Sequence, residues 1–422
     1  MKNKKSESTV ILNLFQHLIY PFKQRFRNKF GMTFNSFLFL STVILLLAII
    51  TSCKKNIEAT KQLDCNFIDS SSTLPKNNIY KGVIDKYIKK GLPGISVLVT
   101  DSNGTWVGAS GYADIKNGVK FTPCHISKAA SITKLLVGTL LFKLQEEGKI
   151  NADDKISKYI DKSILDRIDG ADGRTIKQLM THTTGIFDVI TSSGFYLAVL
   201  NNPNKRWTQM ELLKYVYGQK SYALNNPYPA HYSSTNTLLL SMCIEKATGE
   251  KHEKLLREKV LTPLGMNDTY YQGREDVPTS AAQGYFDLYN NGEIVNVSNL
   301  ITGSGNGYGG IYSNVFDLQK FIKALLIDKT ILSQASLDQM QTYAQEKDDF
   351  FCGMGIIKKF TKKPNYGIGH TGRDLGYVAD LFYFPERNIT MVFFVNYGTN
   401  GESSLKQVFF DFESELVDKI LE

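Results

Sequence analysis

The stretch ASITKLLVGTLL (residues 130–141) places a serine three residues before a lysine at the head of an apolar helix. The apolar pattern runs from Ser131 to Glu147 and stops at Gly148, which predicts a helix with a glycine at its end. Residues i and i+3 share one helix face, so the Lys134 amine reaches the Ser131 hydroxyl. Ser131 is then either a helix cap or a nucleophile activated by Lys134.

The Ser-x-x-Lys spacing is not specific by itself. The chain contains three such pairs: Ser52/Lys55, Ser131/Lys134 and Ser403/Lys406. Only the middle pair begins an apolar helix inside the chain, and Ser403 is expected to cap a C-terminal helix. A serine at a helix start lies in the positive end of the helix dipole, near free backbone N–H groups. Taken alone, a capping serine remains the commoner role.

Two later stretches favour the nucleophile. HYSSTNT (231–237) supplies Tyr232 just before a predicted helix, and GHTGRDLGY (369–377) supplies a His-Thr-Gly triplet just before a strand. The order Ser-x-x-Lys, Tyr-Ser-x, His-Thr-Gly resembles that of the serine β-lactamase and penicillin-binding protein superfamily. The resemblance is to the branch with class C β-lactamases, D-alanyl-D-alanine carboxypeptidases, D-aminopeptidases and esterases.

The resemblance covers about residues 80–422, because the connecting segments share it. These segments are GYADIKNGVKFTP (111–123), LQEEGKINADDKISKYI (144–160), TIKQLMTHTTGI (175–186), VLTPLGMNDTYY (260–271) and GYGGIYSNVFDLQKFIKALL (307–326). It implies an α+β fold of the β-lactamase/D,D-peptidase type. An antiparallel sheet flanked by helices would form one lobe from both chain ends, and an all-α lobe would be inserted between them.

The resemblance also implies roles for individual residues. Ser131 would attack a substrate carbonyl and form an acyl-enzyme, with proton transfer shared by Lys134 and Tyr232. The backbone N–H groups of Ser131 and Arg373 would hold the oxyanion. A cationic Lys134 would favour a phenolate at Tyr232. The substrate would be bound by Ser234, His370, Thr371, Gly372 and Arg373.

Three positions depart from the pattern and rank the candidate activities. Ser234 stands where many members have asparagine, and His370 stands where class C β-lactamases have lysine. Both favour D,D-carboxypeptidase-like amide or ester hydrolysis over a true β-lactamase; a penicillin-binding sensor or scaffold without turnover is a further alternative. A protonated His370 would bind a substrate carboxylate. Arg373 is large for its position and would pair with a carboxylate at the cleft mouth.

The N-terminus predicts export and attachment to a membrane. The chain has 49 basic and 41 acidic residues, and residues 1–53 contain seven of the basic residues and one of the acidic ones. The remainder of the chain therefore carries an excess of only two positive charges. The uncharged run 30–53 ends in ITSC, which resembles a bacterial lipobox with Cys53 as the lipidated residue. An uncleaved membrane anchor is the alternative. Either places the body in the bacterial cell envelope, periplasmic or surface-facing.

The chain is divided into residues 1–53 as export signal, 54–75 as flexible tether and 76–422 as hydrolase domain. Outside the central helix, the predicted elements are a helix over 76–90, a hairpin over 94–114, a helix capped by Thr208 and Glu211, a helix over 235–249, two strands over 378–398 and a helix over 403–421. The remaining cysteines, which show no close pairing, are expected to be mostly buried small hydrophobes: Cys65, Cys124, Cys243 and Cys352.

Other classes of partner are not favoured. GNGYGG (305–310) matches the glycine pattern of a dinucleotide site but lacks the βαβ context that such a site needs. No close pair of histidines suggests a metal, so neither metal nor cofactor is expected. A body so close to neutral gives no case for binding nucleic acid. The expected partner is a small-molecule or peptidoglycan-like substrate with an acyl amide or ester.

Overall fold

A sheet of nine antiparallel strands is built from two distant parts of the chain. The computed structural model describes residues 57–65 and 70–422. Its strands are β1 (Gly94–Asp101), β2 (Gly104–Asp114), β3 (Val119–Lys120), β4 (Ser127–Ala130), β5 (Tyr270–Tyr271), β6 (Tyr285–Phe286), β7 (Val295–Asn296), β8 (Ile311–Ser313), β9 (Ala344–Lys347), β10 (Phe350–Cys352), β11 (Ile357–Lys359), β12 (Gly367–Asp374), β13 (Tyr377–Phe384) and β14 (Ile389–Val395). The large sheet has the order β3-β2-β1-β14-β13-β12-β11-β10-β9, and β4, β8 and β5 form a separate small sheet.

The centre of the large sheet is apolar along its whole length. All seven residues of β14 are buried, and the first six of β1 are buried as well. A strand without polar alternation must be covered on both faces. Helices supply that cover, and the strands therefore lie in the core of the lobe.

The helices complete this lobe and form the insertion between its two halves. They are α1 (Asn77–Lys89), α2 (Ile132–Glu146), α3 (Lys162–Leu165), α4 (Ile176–Met180), α5 (Ser193–Asn201), α6 (Gln209–Leu213), α7 (Ser234–Thr248), α8 (His252–Leu256), α9 (Val315–Ile322), α10 (Gln334–Met340) and α11 (Lys406–Leu421). Helices α1 and α11 pack against each other, and α9 packs against β1 and β14.

Helix α2 is apolar on nearly every side, which explains its central place. Its residues are buried from Ile132 through Phe142, including the polar Thr133 and Lys134. A helix without a polar face is stable only where it is surrounded by protein. Helix α2 therefore holds its first turn rigidly, and Ser131 precedes that turn directly.

Most predicted elements lie within one to three residues of their expected bounds. The capping box of Thr208 and Glu211 is present at α6, and the two C-terminal strands join between Phe384 and Ile389. The predicted cap at Ser403 is wrong: α11 begins at Lys406, and its N-cap is Leu405.

Two predictions about the segment before α1 need correction. Cys65 and Cys124 form a disulfide, so they are not separate buried hydrophobes, whereas Cys243 and Cys352 are free and buried as expected. Thr60 is buried and its N–H donates to Asp114 Oδ2 at 3.1 Å.

Residues 58–65 therefore belong to the compact unit 58–422 and not to a flexible tether. The composition of the segment is polar, but a covalent link and backbone hydrogen bonds hold it in place. The predicted signal segment and Cys53 lie outside the described residues. Within the described ranges, no helix combines the length and apolar character needed to cross a bilayer.

Candidate active site

Three elements bring the predicted site residues together: the start of α2, the start of α7 and strand β12. Beyond Gly369, β12 no longer pairs with β11 but stays paired with β13, and it packs against β4, which directly precedes Ser131. A Cβ at Gly372 would lie 2.1 Å from the Ala129 carbonyl oxygen, so only glycine permits this approach. The next residue, Arg373, is thereby held at the cavity that Ser131 also lines.

Ser131 does not cap α2 through its side chain. It occupies the N-cap position with φ −68° and ψ −7°, and its hydroxyl makes no capping hydrogen bond. Ala130 before it has φ +48°, which is unusual for a residue with a Cβ and turns the chain sharply into the helix. The Ser131 Oγ lies 2.9 Å from Lys134 Nζ instead. The geometry therefore matches a nucleophile beside a base.

Lys134 is 1% exposed and has few charged neighbours. Its Nζ lies 2.8 Å from the Tyr308 carbonyl oxygen and 3.4 Å from Ser234 Oγ, and no carboxylate among the described residues forms an ion pair with it. Burial lowers the pKa of Lys134 to about 7, against the opposing charges of Asp188 and Asp374. A substantial fraction of this amine is therefore neutral near pH 7 and able to accept a proton.

Tyr232 is a neutral phenol in this site. Burial raises its pKa well above the ordinary value, although its hydrogen bond with Ser131 opposes the shift. A phenolate at Tyr232 was expected only beside a cationic Lys134, and the burial of the phenol and the lowered pKa of Lys134 both disfavour that pair of charges. The Lys134 ammonium group lies 4.9 Å from the Tyr232 ring centre. Lys134 is the better candidate for the base, and Tyr232 for the proton donor.

Two residues that the sequence did not assign to the site support α7. His182 stacks on Tyr232 with 4.3 Å between ring centres, and its Nδ1 accepts the Ser233 N–H at 3.1 Å. Asp188 Oδ1 accepts the Ser234 N–H at 2.9 Å. Burial lowers the pKa of His182 well below its usual value, so the ring is neutral and accepts at Nδ1. These contacts fix the turn that carries Tyr232 and Ser234.

His370 lies in the site as a buried ring. Burial, and then the positive charge of Lys134, lower its pKa to about 3. The expected binding of a substrate carboxylate by protonated His370 would therefore be confined to acid pH. Its Nδ1 donates to the Thr371 carbonyl oxygen at 2.6 Å, because that oxygen can only accept. The ring is a neutral support for the end of β12.

Arg373 reaches the cavity, but its guanidinium is already paired. It donates to Asp380 Oδ1 at 2.6 Å and to Glu413 Oε1 at 2.7 Å. Lys359 also donates to Glu413, at 2.7 Å. A substrate carboxylate would have to compete with these buried acids. The structure thus disfavours the predicted free guanidinium, although Arg373 and Ser131 line the same cavity.

A cavity of about 710 Å³ opens beside Ser131. The nucleophile, Tyr232 and Thr371 lie on one side of it, and Phe350 and Phe410 add apolar surface. Its size is that of a small-molecule site with a few polar groups near the reacting atoms. The arrangement therefore permits attack of Ser131 on an acyl group held in the cavity.

The glycine-rich segment 305–310 serves this site and has no nucleotide-binding geometry. Tyr308 supplies the carbonyl that accepts from Lys134, and the Gly307 N–H donates to Tyr271 at 3.0 Å. The segment leads into strand β8 and not into a helix. Its glycines allow the backbone to approach α7: a Cβ at Gly307 would lie 2.5 Å from the Thr237 carbonyl oxygen.

One group of side chains in the described part of the chain has the spacing of metal ligands: Glu245, His252 and Glu253. His252 Nδ1 lies 2.6 Å from Glu245 Oε1 and 3.1 Å from Glu253 Oε2. Lys251 also pairs with Glu245 at 2.7 Å. Lys251 and His252 thus engage Glu245, whereas the buried Glu253 Oε2 has no hydrogen-bond partner among the described residues.

The family model described as Beta-lactamase matches residues 80–411. Among curated proteins, protein flp of Staphylococcus aureus strain N315 is 24% identical over 322 residues, which cover 74% of this chain and 62% of flp. The chain therefore spans less than two thirds of that relative. The D-alanyl-D-alanine-carboxypeptidase/endopeptidase AmpH of Escherichia coli K12 is 24% identical over 73% of this chain and 81% of AmpH.

Solved structures share the fold. The D-amino acid amidase of Ochrobactrum anthropi SV3, crystallised with L-phenylalanine amide, superposes with a TM-score of 0.70 at 23% identity, over 82% of this chain and 98% of the amidase. These matches confirm the family resemblance and the α+β fold predicted from the sequence.

Proposed function

The chain belongs to the β-lactamase family, and from that premise we propose that it hydrolyses amides or esters through an acyl-enzyme on Ser131, in the manner of a D,D-carboxypeptidase. Membership confirms the predicted class, serine hydrolase. The observation that carries the proposal is the 2.9 Å contact between Ser131 Oγ and the Lys134 amine, whose pKa is lowered to about 7. The names of AmpH and of the Ochrobactrum amidase both refer to D-amino acid units, which favours substrates that contain them.

The first half of the proposed reaction forms the ester bond. Neutral Lys134 removes the proton of the Ser131 hydroxyl as Oγ attacks the carbonyl carbon. The backbone N–H groups of Ser131 and Arg373 would stabilise the negative oxygen of the tetrahedral intermediate. Tyr232 donates its proton to the leaving amine or alcohol and recovers one from Lys134. The carbon–nitrogen or carbon–oxygen bond breaks, and the acyl-enzyme remains.

The second half reverses these roles with water. The same base takes a proton from water, whose oxygen attacks the acyl carbon, and Ser131 leaves with a proton returned through Tyr232 or Lys134. The product is a carboxylic acid, and all three side chains return to their starting states. No cofactor or metal takes part in this sequence of steps.

The test compares three substrates on the full-length chain and on Ser131→Ala: a fluorescent penicillin, p-nitrophenyl acetate and a peptide ending in D-Ala-D-Ala. Release of D-alanine or p-nitrophenol that depends on Ser131 supports the proposal. Rapid turnover of the penicillin alone would identify a β-lactamase, and stable labelling without turnover would identify a penicillin-binding sensor. Equal activity in Ser131→Ala would falsify the mechanism.

We further propose that the protein is a lipoprotein of the bacterial cell envelope, attached through Cys53. The basic residues before the uncharged run and the sequence ITSC support this. The disulfide between Cys65 and Cys124 adds support, because structural disulfides persist in oxidising compartments outside the cytoplasm. Cells expressing the protein should incorporate labelled palmitate into the wild type and into Cys243→Ser, and not into Cys53→Ser. Labelling of Cys53→Ser would contradict the attachment site.

A further inference from the structure

The carboxylate of Glu346 lies on the wall of the active-site cavity with one oxygen unpartnered. Glu346 belongs to β9, the edge strand of the large sheet, and lines the same cavity as Ser131. Its Oε1 accepts the backbone N–H of Tyr232 at 3.2 Å. Its Oε2 is buried and has no hydrogen-bond partner among the described residues. A buried carboxylate oxygen without a hydrogen-bond donor is unfavourable, and the described residues around it supply no donor here.

The other acids of this wall are already engaged. Asp348 accepts from the Tyr228 hydroxyl and from Lys362 Nζ, and Asp349 accepts from the Thr361 hydroxyl at 2.8 Å. Asp349 uses only Oδ1 in these bonds, so what sets Glu346 apart among the described acids of this wall is that its unpartnered oxygen is buried. Being joined to the backbone of Tyr232, it is held close to the reacting groups.

The positive charges of the same wall do not neutralise Glu346. Lys359 and Arg373 both donate to Glu413, at 2.7 Å each. Lys347 is exposed to water, and its Nζ lies 5.1 Å from the Phe350 ring centre. None of these described cations of the wall therefore forms an ion pair with the Glu346 carboxylate. Such a site attracts a cation and disfavours a ligand that presents only a carboxylate.

We propose that Glu346 determines specificity by accepting a primary ammonium group on the acyl side of the scissile bond. An ammonium carries three donors and no acceptor, which suits a carboxylate with a free oxygen. Two kinds of substrate offer this group: an amino-acid amide with a free α-amine, and a peptide whose diamino acid carries a side-chain amine. The inference rests on the proposed acyl hydrolysis and names the substrates that it would select.

The test uses two matched pairs of substrates on the full-length protein. The first pair is D-alanine p-nitroanilide and its N-acetyl derivative. The second is Nα-acetyl-L-Lys-D-Ala-D-Ala and the same peptide acetylated at both lysine nitrogens. Acetylation removes the charge, so kcat/KM of the wild type should fall at least about tenfold in one of the pairs. The pair that responds distinguishes an α-amine from a side-chain amine.

Glu346→Gln is the decisive variant, because its amide oxygen can still accept from the Tyr232 N–H. It should lose most of the preference for the ammonium form and retain turnover of p-nitrophenyl acetate, which carries no charge. Glu258→Gln is the matched control and should keep the preference, because the Glu258 side chain is 51% exposed, pairs with Lys254 and does not line the cavity. An equal loss on acetylation in wild type and Glu346→Gln, or no loss in either pair, would overturn the role of Glu346.

A binding measurement separates this inference from the proposed reaction. The four compounds are titrated calorimetrically into Ser131→Ala and into Ser131→Ala/Glu346→Gln. The ammonium forms should bind Ser131→Ala at least about tenfold more tightly than the acetylated forms, and the double variant should lose the difference. If no substrate is turned over but this pattern holds, the reaction is wrong and the ammonium site stands. If turnover occurs without this difference in binding or in kcat/KM, the ammonium site is wrong.

Discussion

Two buried lysines, Lys128 and Lys134, lie six residues apart and have opposite surroundings. Lys128 is 0% exposed and pairs with Asp374 at 3.3 Å, with its ammonium 5.1 Å from the Tyr377 ring centre. Lys134 is 1% exposed, and its contacts are hydroxyl and carbonyl oxygens. A buried lysine with a carboxylate keeps its charge balanced, whereas one without a carboxylate is pushed towards the neutral amine. The difference assigns a structural role to Lys128 and a chemical role to Lys134.

The largest effect is expected from Lys134→Met, which removes the base and keeps an unbranched side chain. Turnover of p-nitrophenyl acetate should fall about 1,000-fold, the scale of general-base catalysis. Lys134→Arg should be equally inactive, because a guanidinium stays protonated. The measurement is kcat/KM at pH 8, with thermal unfolding to verify folding. Retention of more than a tenth of the activity in a folded variant would remove Lys134 from the mechanism.

Lys128→Met tests the other half of the comparison. It leaves Asp374 buried without its ion partner, and the free energy of unfolding should fall by about 3–5 kcal/mol. Urea denaturation measures this, and Lys158→Met, at an exposed pair with Asp154, should change it little. If Lys128→Met unfolds like the wild type, the ion pair does not stabilise the fold and the contrast between the two lysines fails.

The pH dependence gives a smaller but more direct signal. Protonated Lys134 cannot accept the Ser131 proton, so kcat/KM for an uncharged ester should drop about tenfold per pH unit below the pKa of about 7 and level off above it. His370, with a pKa lowered to about 3, should add no inflection near neutrality. A profile that is flat from pH 5 to pH 8 would show that another group is the base.

Asp188→Asn should move that inflection to lower pH. The negative charge of Asp188 favours the protonated form of Lys134, so its loss lowers the pKa of the lysine. Asparagine retains an oxygen that can accept the Ser234 N–H, which keeps the turn in place. The inflection is read from kcat/KM between pH 5 and pH 9. Movement to higher pH would mean that Asp188 acts on Lys134 through structure and not through charge.

The secondary-structure elements that the sequence predicted are those specified by local sequence signals. Helix α2, the capping box of Thr208 and the final two strands follow from periodicity and end signals within a few residues. The order of Ser131, Tyr232 and His370 identified the family. The structure then placed these side chains around one cavity.

What the sequence missed depends on distant packing. The link between Cys65 and Cys124 joins residues 59 apart and has no local signal. Glu346 is one acid among 41, and only its place beside Tyr232 sets it apart. The sequence also left the charge states of His370 and Tyr232 open, because burial, which shifts both pKa values, is a property of the folded chain.

The pairing at the centre of the large sheet also constrains when the enzyme can become active. Strand β1 is bonded to β14, so that Ile95 pairs with Val395, 300 residues later. Strand β13, which positions β12 beside Ser131, is bonded to β14 as well. Contacts this distant along the chain form slowly and late. Because synthesis starts at the N-terminus, a growing chain contains Ser131 long before it contains β12, β13 and β14. The active site can therefore form only when synthesis is nearly complete.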